Sequence, residues 1–423
     1  MNVPPPILLC NADYYGTLAA TRVLGRAGIP VTIASEGHLS VARWSRYATN
    51  TVACPSTLDP RFVPWLTRFC ANNPGHVLYP TSDDTSYLFA LHREALSQHA
   101  RLSLPSLTAV MNVLDKKLLY QFAERAGLQT PSTRFPERDS EVEPLGRELE
   151  GPILLKARSQ ILYRNRSKGE VVRDRRSLLD RYRSFDQGND YRPELTANFP
   201  QATRPMLQCY HAESADRIYS LAGYVGQDGT LVAARGSFKI LQRPRKLGIG
   251  LCFEGASVDP SLLEGVRRMC LLAGYQGLFQ IEFVCVGEER LLIDFNPRFY
   301  NQLAFDVARG LELPLIVYNE ALSHEREVTE LVRRAEHTKN AAAEVFCNRL
   351  GFELVVSLQR WAGRMPAAEA DAWRRWYDAH RLTAVDSTVD REDPMPTFAD
   401  LAAQVHHCLR HPRSFVRKVV MNA

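Results

Sequence analysis

The stretch LFQIEFVCVGEERLLIDFNPR, residues 278–298, alternates apolar and polar side chains on both sides of a Gly-Glu-Glu turn, and it constrains the chain more than any other segment. A period of two is that of a strand with one buried face, so two such runs around a short turn predict an antiparallel hairpin. With Gly287, Glu288 and Glu289 as a three-residue loop, Val286 pairs with Arg290. Counting outward then sets Glu282 opposite Asp294 and Gln280 opposite Asn296, with Ile281, Phe283, Ile293 and Phe295 on the core face.

Carboxylates placed directly opposite one another, with Cβ atoms roughly 4.5–5.5 Å apart, destabilise a sheet unless something offsets them. Two readings are open. The pair is either a solvated acidic face or part of a ligand set for a divalent cation. Glu, Asp and Asn supply only oxygen, the chemistry of Mg²⁺ or Mn²⁺ shared with substrate phosphates. Pro297, which ends the strand, and Arg298, which can grip an anion, favour the second reading. On the repulsion argument, Glu282→Gln or Asp294→Asn is expected to raise the melting temperature modestly in the absence of metal.

The N-terminal part is of another class. Residues 6–34 read as strand, polar turn, amphipathic helix with Leu18, Val23, Leu24 and Ala27 inward, Gly28, and a second strand. Residues 76–96 repeat the pattern, with Asp83 and Asp84 where strand gives way to helix, so an open parallel sheet is expected over about the first 105 residues. The two acids read either as a helix N-cap or as substrate contacts at the strand ends. The turn NADYYG carries one glycine where a dinucleotide fingerprint needs three, which argues against a nicotinamide dehydrogenase. Farther on, NVLDKKLLYQFAERAG reads as a helix with Leu118, Leu119, Phe122 and Ala126 inward, GPILLKARS as a strand and KGEVVRD as its partner. Residues 206–300 alternate strands and turns around one helix, and the chain from about 326 reads as helical.

Charge and cysteine usage narrow the classes. The 52 basic and 47 acidic residues are mixed along the chain, so no basic arm points to nucleic acid. Nine cysteines without a C-x-x-C pair, an N-terminus without a basic signal region, and the absence of a long apolar run lead to the expectation of a reduced, cytoplasmic protein without a membrane span. The terminal HCLRHPRSFVRKVVMN sets Arg410, Arg413, Arg417 and Lys418 among apolar residues. It reads as a helix docking on the body or, less simply, as a contact with a membrane surface.

Taken in order, these motifs resemble those of the ATP-grasp superfamily from about residue 6 to residue 320, and most closely a carboxylate-amine ligase-like branch that includes D-aspartate ligase-like enzymes. LDKKLL and ILLKARS resemble the segments that carry two nucleotide lysines, which implies phosphate contacts for Lys116 and Lys156. MLQCYHAESAD resembles the hinge whose backbone receives adenine, which implies Gln208, Cys209, Tyr210 and His211. FKILQRPRKLGIG resembles a K-x-R-Q-x-P-x-x-x-G-x-G stretch through Lys239, Gln242, Pro244, Gly248 and Gly250. QIEF and IDFNPRF resemble the metal site and imply Glu282, Asp294 and Asn296 as ligands, with Arg298, Lys156 and Lys239 as catalytic groups.

The chain departs from the pattern in four places. Asp294 stands for the usual glutamate, Cys209 for an acidic hinge residue, with Asp216 or Glu213 as substitutes for ribose recognition, and Leu241 fills an arginine slot. The loop after Lys156 offers Arg164, Arg166 and Lys168 in place of glycines, either as phosphate contacts or as an exposed basic loop.

The fold implied is α/β, with α+β character in its centre: an N-terminal open parallel α/β domain (1–108), an ATP-grasp domain of two α+β subdomains (109–325) and a helical C-terminal extension (326–423). The activity implied is ATP-dependent amide formation from a small carboxylate and an amine through an acyl phosphate, with ATP and Mg²⁺ or Mn²⁺ as cofactors. Assembly as a homodimer is left open. The alternative is a nucleotide-binding or scaffold protein that keeps the fold without turnover.

Overall fold

The computed structural model describes residues 3–164, 169–211, 217–245, 248–338 and 344–420. The first sheet is five-stranded and wholly parallel, formed by β1 (Ile7–Leu9), β2 (Val31–Ser35), β3 (Asn50–Ala53), β4 (Val77–Leu78) and β5 (Arg101–Leu102) in the order β3-β2-β1-β4-β5. Its central strands read as unbroken apolar runs because helices cover both faces; Ile7, Leu8, Leu9, Val31 and Ile33 are fully buried. Helix Tyr15–Arg26 buries Leu18 and Leu24 as expected. Ala27 does not follow, because the helix ends at Arg26 and Ala27 is its exposed cap residue, ahead of Gly28 at φ 76°.

The single glycine of NADYYG has a structural use. A Cβ on Gly16 would lie 2.5 Å from the carbonyl oxygen of Tyr300, so the glycine lets this helix touch the backbone just beyond the Asn-Pro-Arg segment.

The second sheet is built from β6 (Thr133–Arg134), β7 (Ile153–Ala157), β9 (Glu170–Val172) and β11 (Pro205–Cys209), antiparallel in the order β6-β11-β7-β9. It has its own small core around Ile153, Leu155, Leu207 and Tyr182. Between these strands β8 (Leu162–Arg164) pairs with β10 (Asp190–Tyr191), an excursion that leads into helix Pro193–Asn198 against the first domain.

The third sheet has six antiparallel strands: β12 (Ile218–Val225), β13 (Val232–Arg243), β14 (Ile249–Ala256), β15 (Gly277–Val286), β16 (Glu289–Asn296) and β17 (Val345–Cys347), in the order β16-β15-β12-β13-β14-β17. Helices Pro260–Ala273 and Lys116–Arg125 pack on one face through Val266, Met269, Leu119 and Ala123 against Phe279, Ile281 and Phe283. The opposite face is left for polar side chains.

The C-terminal extension is helical apart from β17, which completes the third sheet. Its helix Arg349–Trp361 buries Phe352 and Val355 against Leu241 and Leu251. A following loop returns to the first domain, where Asp393 accepts from Arg22 at 2.9 Å with both side chains buried. Near the end, Val419 is buried and its carbonyl accepts from Gln359 at 2.9 Å, whereas Arg410 and Arg413 are exposed; the side chains of Arg417 and Lys418 lie outside the described residues. No helix among the described residues is long and apolar enough to cross a membrane.

Candidate active site

The hairpin β15/β16 carries the site, in the pairing expected but by another route. Glu282 pairs with Asp294 and Gln280 with Asn296, yet the turn is two residues long, with Gly287 at φ 60°, and pairs Val286 with Glu289 and Cys285 with Arg290. The register is restored by a bulge at Ile293, the extra residue between Leu292, which pairs with Phe283, and Asp294. Two departures from the simple count therefore cancel. Beside the bulge, the Leu292 N–H donates to Gln129 O at 2.8 Å, outside the sheet edge. One expectation fails as a result: Ile293 lines the cleft, and Leu292 takes its place in the core beside Ile281, Phe283 and Phe295.

Each acid of the pair already has a cation. Lys239, two strands away on β13, donates to both oxygens of Glu282 at 2.8 and 3.0 Å. Lys116, the first residue of helix Lys116–Arg125, donates to Asp294 at 2.5 Å with its ammonium buried. Burial alone would raise the Asp294 carboxyl, but Lys116, then Lys156, hold it well below the usual carboxylate range. Burial likewise opposes the charge of Lys116, and Asp294 more than offsets it, so the ammonium stays above its ordinary value. The expectation that removing one acid stabilises the metal-free protein is therefore reversed. Like-charge repulsion is already cancelled, and the mutation would strand a buried lysine.

Among the described residues each nitrogen of the Arg298 guanidinium has one partner, which leaves two of its five N–H groups over. It donates to Asp83 at 3.0 Å, to the side-chain oxygen of Asn296 at 2.6 Å and to Phe299 O at 3.1 Å. Asn296 in turn donates to Gln280 Oε1 at 2.5 Å, and Gln280 to Ser220 at 2.7 Å. Asp83 and Asp84 are not the N-cap of their helix; Ser82 is, in a reciprocal capping box with Thr85. That frees both acids for arginines from other sheets. Asp84 accepts from the buried Arg192 at 2.9 Å, and because burial outweighs this partner its carboxyl is pushed up to about 6.

These groups line one cleft between the second and third sheets, about 1220 Å³ including its mouth. Lys156, Gln208, Cys209, Tyr210, His211, Lys239, Glu282, Asp294, Asn296 and Arg298 all face it, and Lys116 stands behind Asp294. The Gln208 side chain is committed to Tyr120 OH and Thr133 Oγ1, and the N–H groups of Cys209 and Tyr210 donate to Ser132 O and Pro152 O. Leu154, Ile218, Val284 and Ile293 give the same end of the cleft apolar walls. Asp216, Glu213, Arg166 and Lys168 lie outside the described residues, as does the side chain of Arg164.

Sequence reasoning missed Gln160, Tyr300, Asn301 and Gln302 in the lining and Asp83 as the partner of Arg298. The run of polar residues after Arg298 in PRFYNQ was the available signal.

Two carboxylates and an amide oxygen are a hard-donor set, and Arg298, which can only donate, fixes the Asn296 atom that faces it as the amide oxygen. Among the described residues no group of three or more His, Cys, Asp or Glu gathers elsewhere as a metal cage. The residues present fit a cation that takes its remaining oxygens from phosphates and water.

No family model matches the chain, and no curated protein matches it in sequence. Solved structures do match. The biotin carboxylase–βγ-ATP complex from Campylobacter jejuni superposes with a TM-score of 0.58 at 15% identity, over 75% of this chain and 71% of that one. N5-carboxyaminoimidazole synthetase from Staphylococcus aureus gives 0.55 at 11% identity, over 76% and 78%. L-amino acid ligase from Bacillus licheniformis gives 0.53 at 14% identity, over 76% and 75%. At such identities the likeness is one of fold, and it is the ATP-grasp fold that the motifs imply.

Proposed function

We propose that the protein is an ATP-dependent carboxylate-amine ligase of the branch that includes D-aspartate ligase-like enzymes. The observation that carries this reading is the pair Glu282 and Asp294, fixed opposite one another at the end of a strand, each beside a lysine, with Arg298 immediately beyond. In this reading Lys116 and Lys156 contact the phosphates of ATP, and the segment Gln208–His211, in which the N–H groups of Cys209 and Tyr210 are already used, receives the base. A divalent cation held by Glu282, Asp294 and the side-chain oxygen of Asn296 would neutralise phosphate charge. The γ-phosphoryl passes to a carboxylate oxygen and ADP leaves. An amine then adds to the acyl carbon, the tetrahedral intermediate collapses with loss of phosphate, and the amine gives up a proton. Such transfers need positioning and charge more than a protein nucleophile. Arg298, preset by Asp83 and Asn296, is the group that steadies the transferred phosphoryl or the acyl phosphate.

A second reading has an observation of its own. Because Lys116 and Lys239 already neutralise both acids, the cleft could hold a nucleotide without turning it over. The deciding assay is ADP release with Mg²⁺, pooled small carboxylates and hydroxylamine as a generic amine. Carboxylate-dependent ADP and hydroxamate support the ligase; ATP binding without either under every mixture supports the second reading.

A further inference from the structure

On the far side of Arg298 lies a second chamber of about 1490 Å³ including its mouth. The two share Gln160, Ile249, Gly250, Arg298 and Asn301 in their walls, so they adjoin. Three parts of the chain wall this chamber: the first domain with Asp13, Tyr15, Asp83 and Asp84, the third sheet with Arg243, and the C-terminal extension with Asn348, Asp400 and Gln404.

Its charges can be counted. Asp83 is taken by Arg298 and Asp84 by Arg192. Among the described residues what remains is one cation and two acids, of which Asp13 is exposed at the rim. The Arg243 guanidinium makes no hydrogen bond or ion pair with any described residue, although its charge is felt by both Tyr15 and Asp400. Asp400 is 3% exposed and accepts only from neutral groups, Tyr15 OH at 3.1 and 3.2 Å and Gln404 at 3.5 Å. A guanidinium without a partner suits a carboxylate, which it can grip with two parallel hydrogen bonds. A buried carboxylate held by a hydroxyl suits an ammonium.

We propose that this chamber binds the amine substrate and selects a zwitterion of the α-amino acid type, its carboxylate on Arg243 and its ammonium on Asp400, which Tyr15 orients. The inference rests on the ligase reading for the meaning of the chamber but not for its occupancy. The chain's own extension thus supplies the specificity wall, and amines without a carboxylate are poor ligands.

The test is calorimetric titration of the full chain, with and without a non-hydrolysable ATP analogue. The probes are the common α-amino acids, their carboxamides and the matching deaminated acids. At least one amino acid should bind, with its carboxamide and its deaminated acid each weaker by about tenfold or more, roughly one charge-assisted contact. Arg243→Gln and Asp400→Asn should lose that binding and Arg243→Lys should retain part of it, with circular dichroism melting to show that each variant is folded. The proposal is overturned if no amino acid binds, if carboxamides bind as well as free acids, or if folded Arg243→Gln binds like the wild type. Amino acid binding without ADP release would leave the chamber standing and remove the ligase reading. Hydroxamate formation without amino acid binding would do the reverse.

Discussion

Asp294 is the residue on which most of the electrostatics converge, since it faces Glu282 across the ladder and holds the buried Lys116 at 2.5 Å. Asp294→Asn should abolish ADP formation and also lower metal-free stability, by on the order of 3 kcal/mol for a stranded buried charge; paired chemical denaturation and ADP assays check both. Asp84 gives a pH signature. Its carboxyl titrates near 6 in the fold, above its ordinary value near 4, so the stability it contributes is complete below about pH 4 and is lost as the pH rises through about 6. Relative to Asp84→Asn, the wild type should therefore lose ground between pH 4 and 7, and a Tm difference that stays flat over that range would count against it. Neither lysine–acid pair was legible beforehand. Lys116 and Asp294 are 178 residues apart, and which lysine faces which acid is decided by packing, not by local pattern. The pairing of the two acids came out as expected only because the shorter turn and the bulge cancel, while Ile281 and Phe295 keep the core side that the alternation gave them.

Among the elements, β16 shows where sequence counting stops. A two-residue and a three-residue turn both accommodate Gly287, and a bulge is a backbone event at an edge strand, stabilised here beside Gln129, that side-chain alternation does not announce. The bulge has a measurable consequence. Ile293 stands half-buried in the cleft, so Ile293→Ala should cost less than about 1 kcal/mol, well below the ~2–5 kcal/mol of a core isoleucine, while weakening ATP binding. A large loss in Tm with nucleotide affinity intact would return Ile293 to the core. Leu241 has a similar explanation. Where the motif has arginine, this strand meets Phe352 and Val355 of the extension, and a charge there would be buried in a hydrocarbon cluster. The extension itself read as helical from its composition. That one of its segments becomes β17 on the third sheet depends on an open edge at β14, which no local feature of Val345–Cys347 reveals.

For the molecule as a whole, the extension is a brace between the third sheet and the first domain. Arg22 and Asp393 meet with side chains 7% and 1% exposed, and Ser45 and the Arg46 N–H also donate to Asp393. Arg22→Gln should destabilise the protein by about 3–5 kcal/mol, as for a buried pair broken on one side, and denaturant unfolding measures it; a change within 1 kcal/mol would mean that the brace bears little. The same geometry governs when the protein becomes competent during synthesis. A growing chain has every residue that lines the first cleft once Gln302 has emerged, but the neighbouring chamber waits for Asn348, Asp400 and Gln404, which close on residues 13–84. A chain trimmed back past Asp400 would therefore keep the residues that line the first cleft and lack one wall of the second.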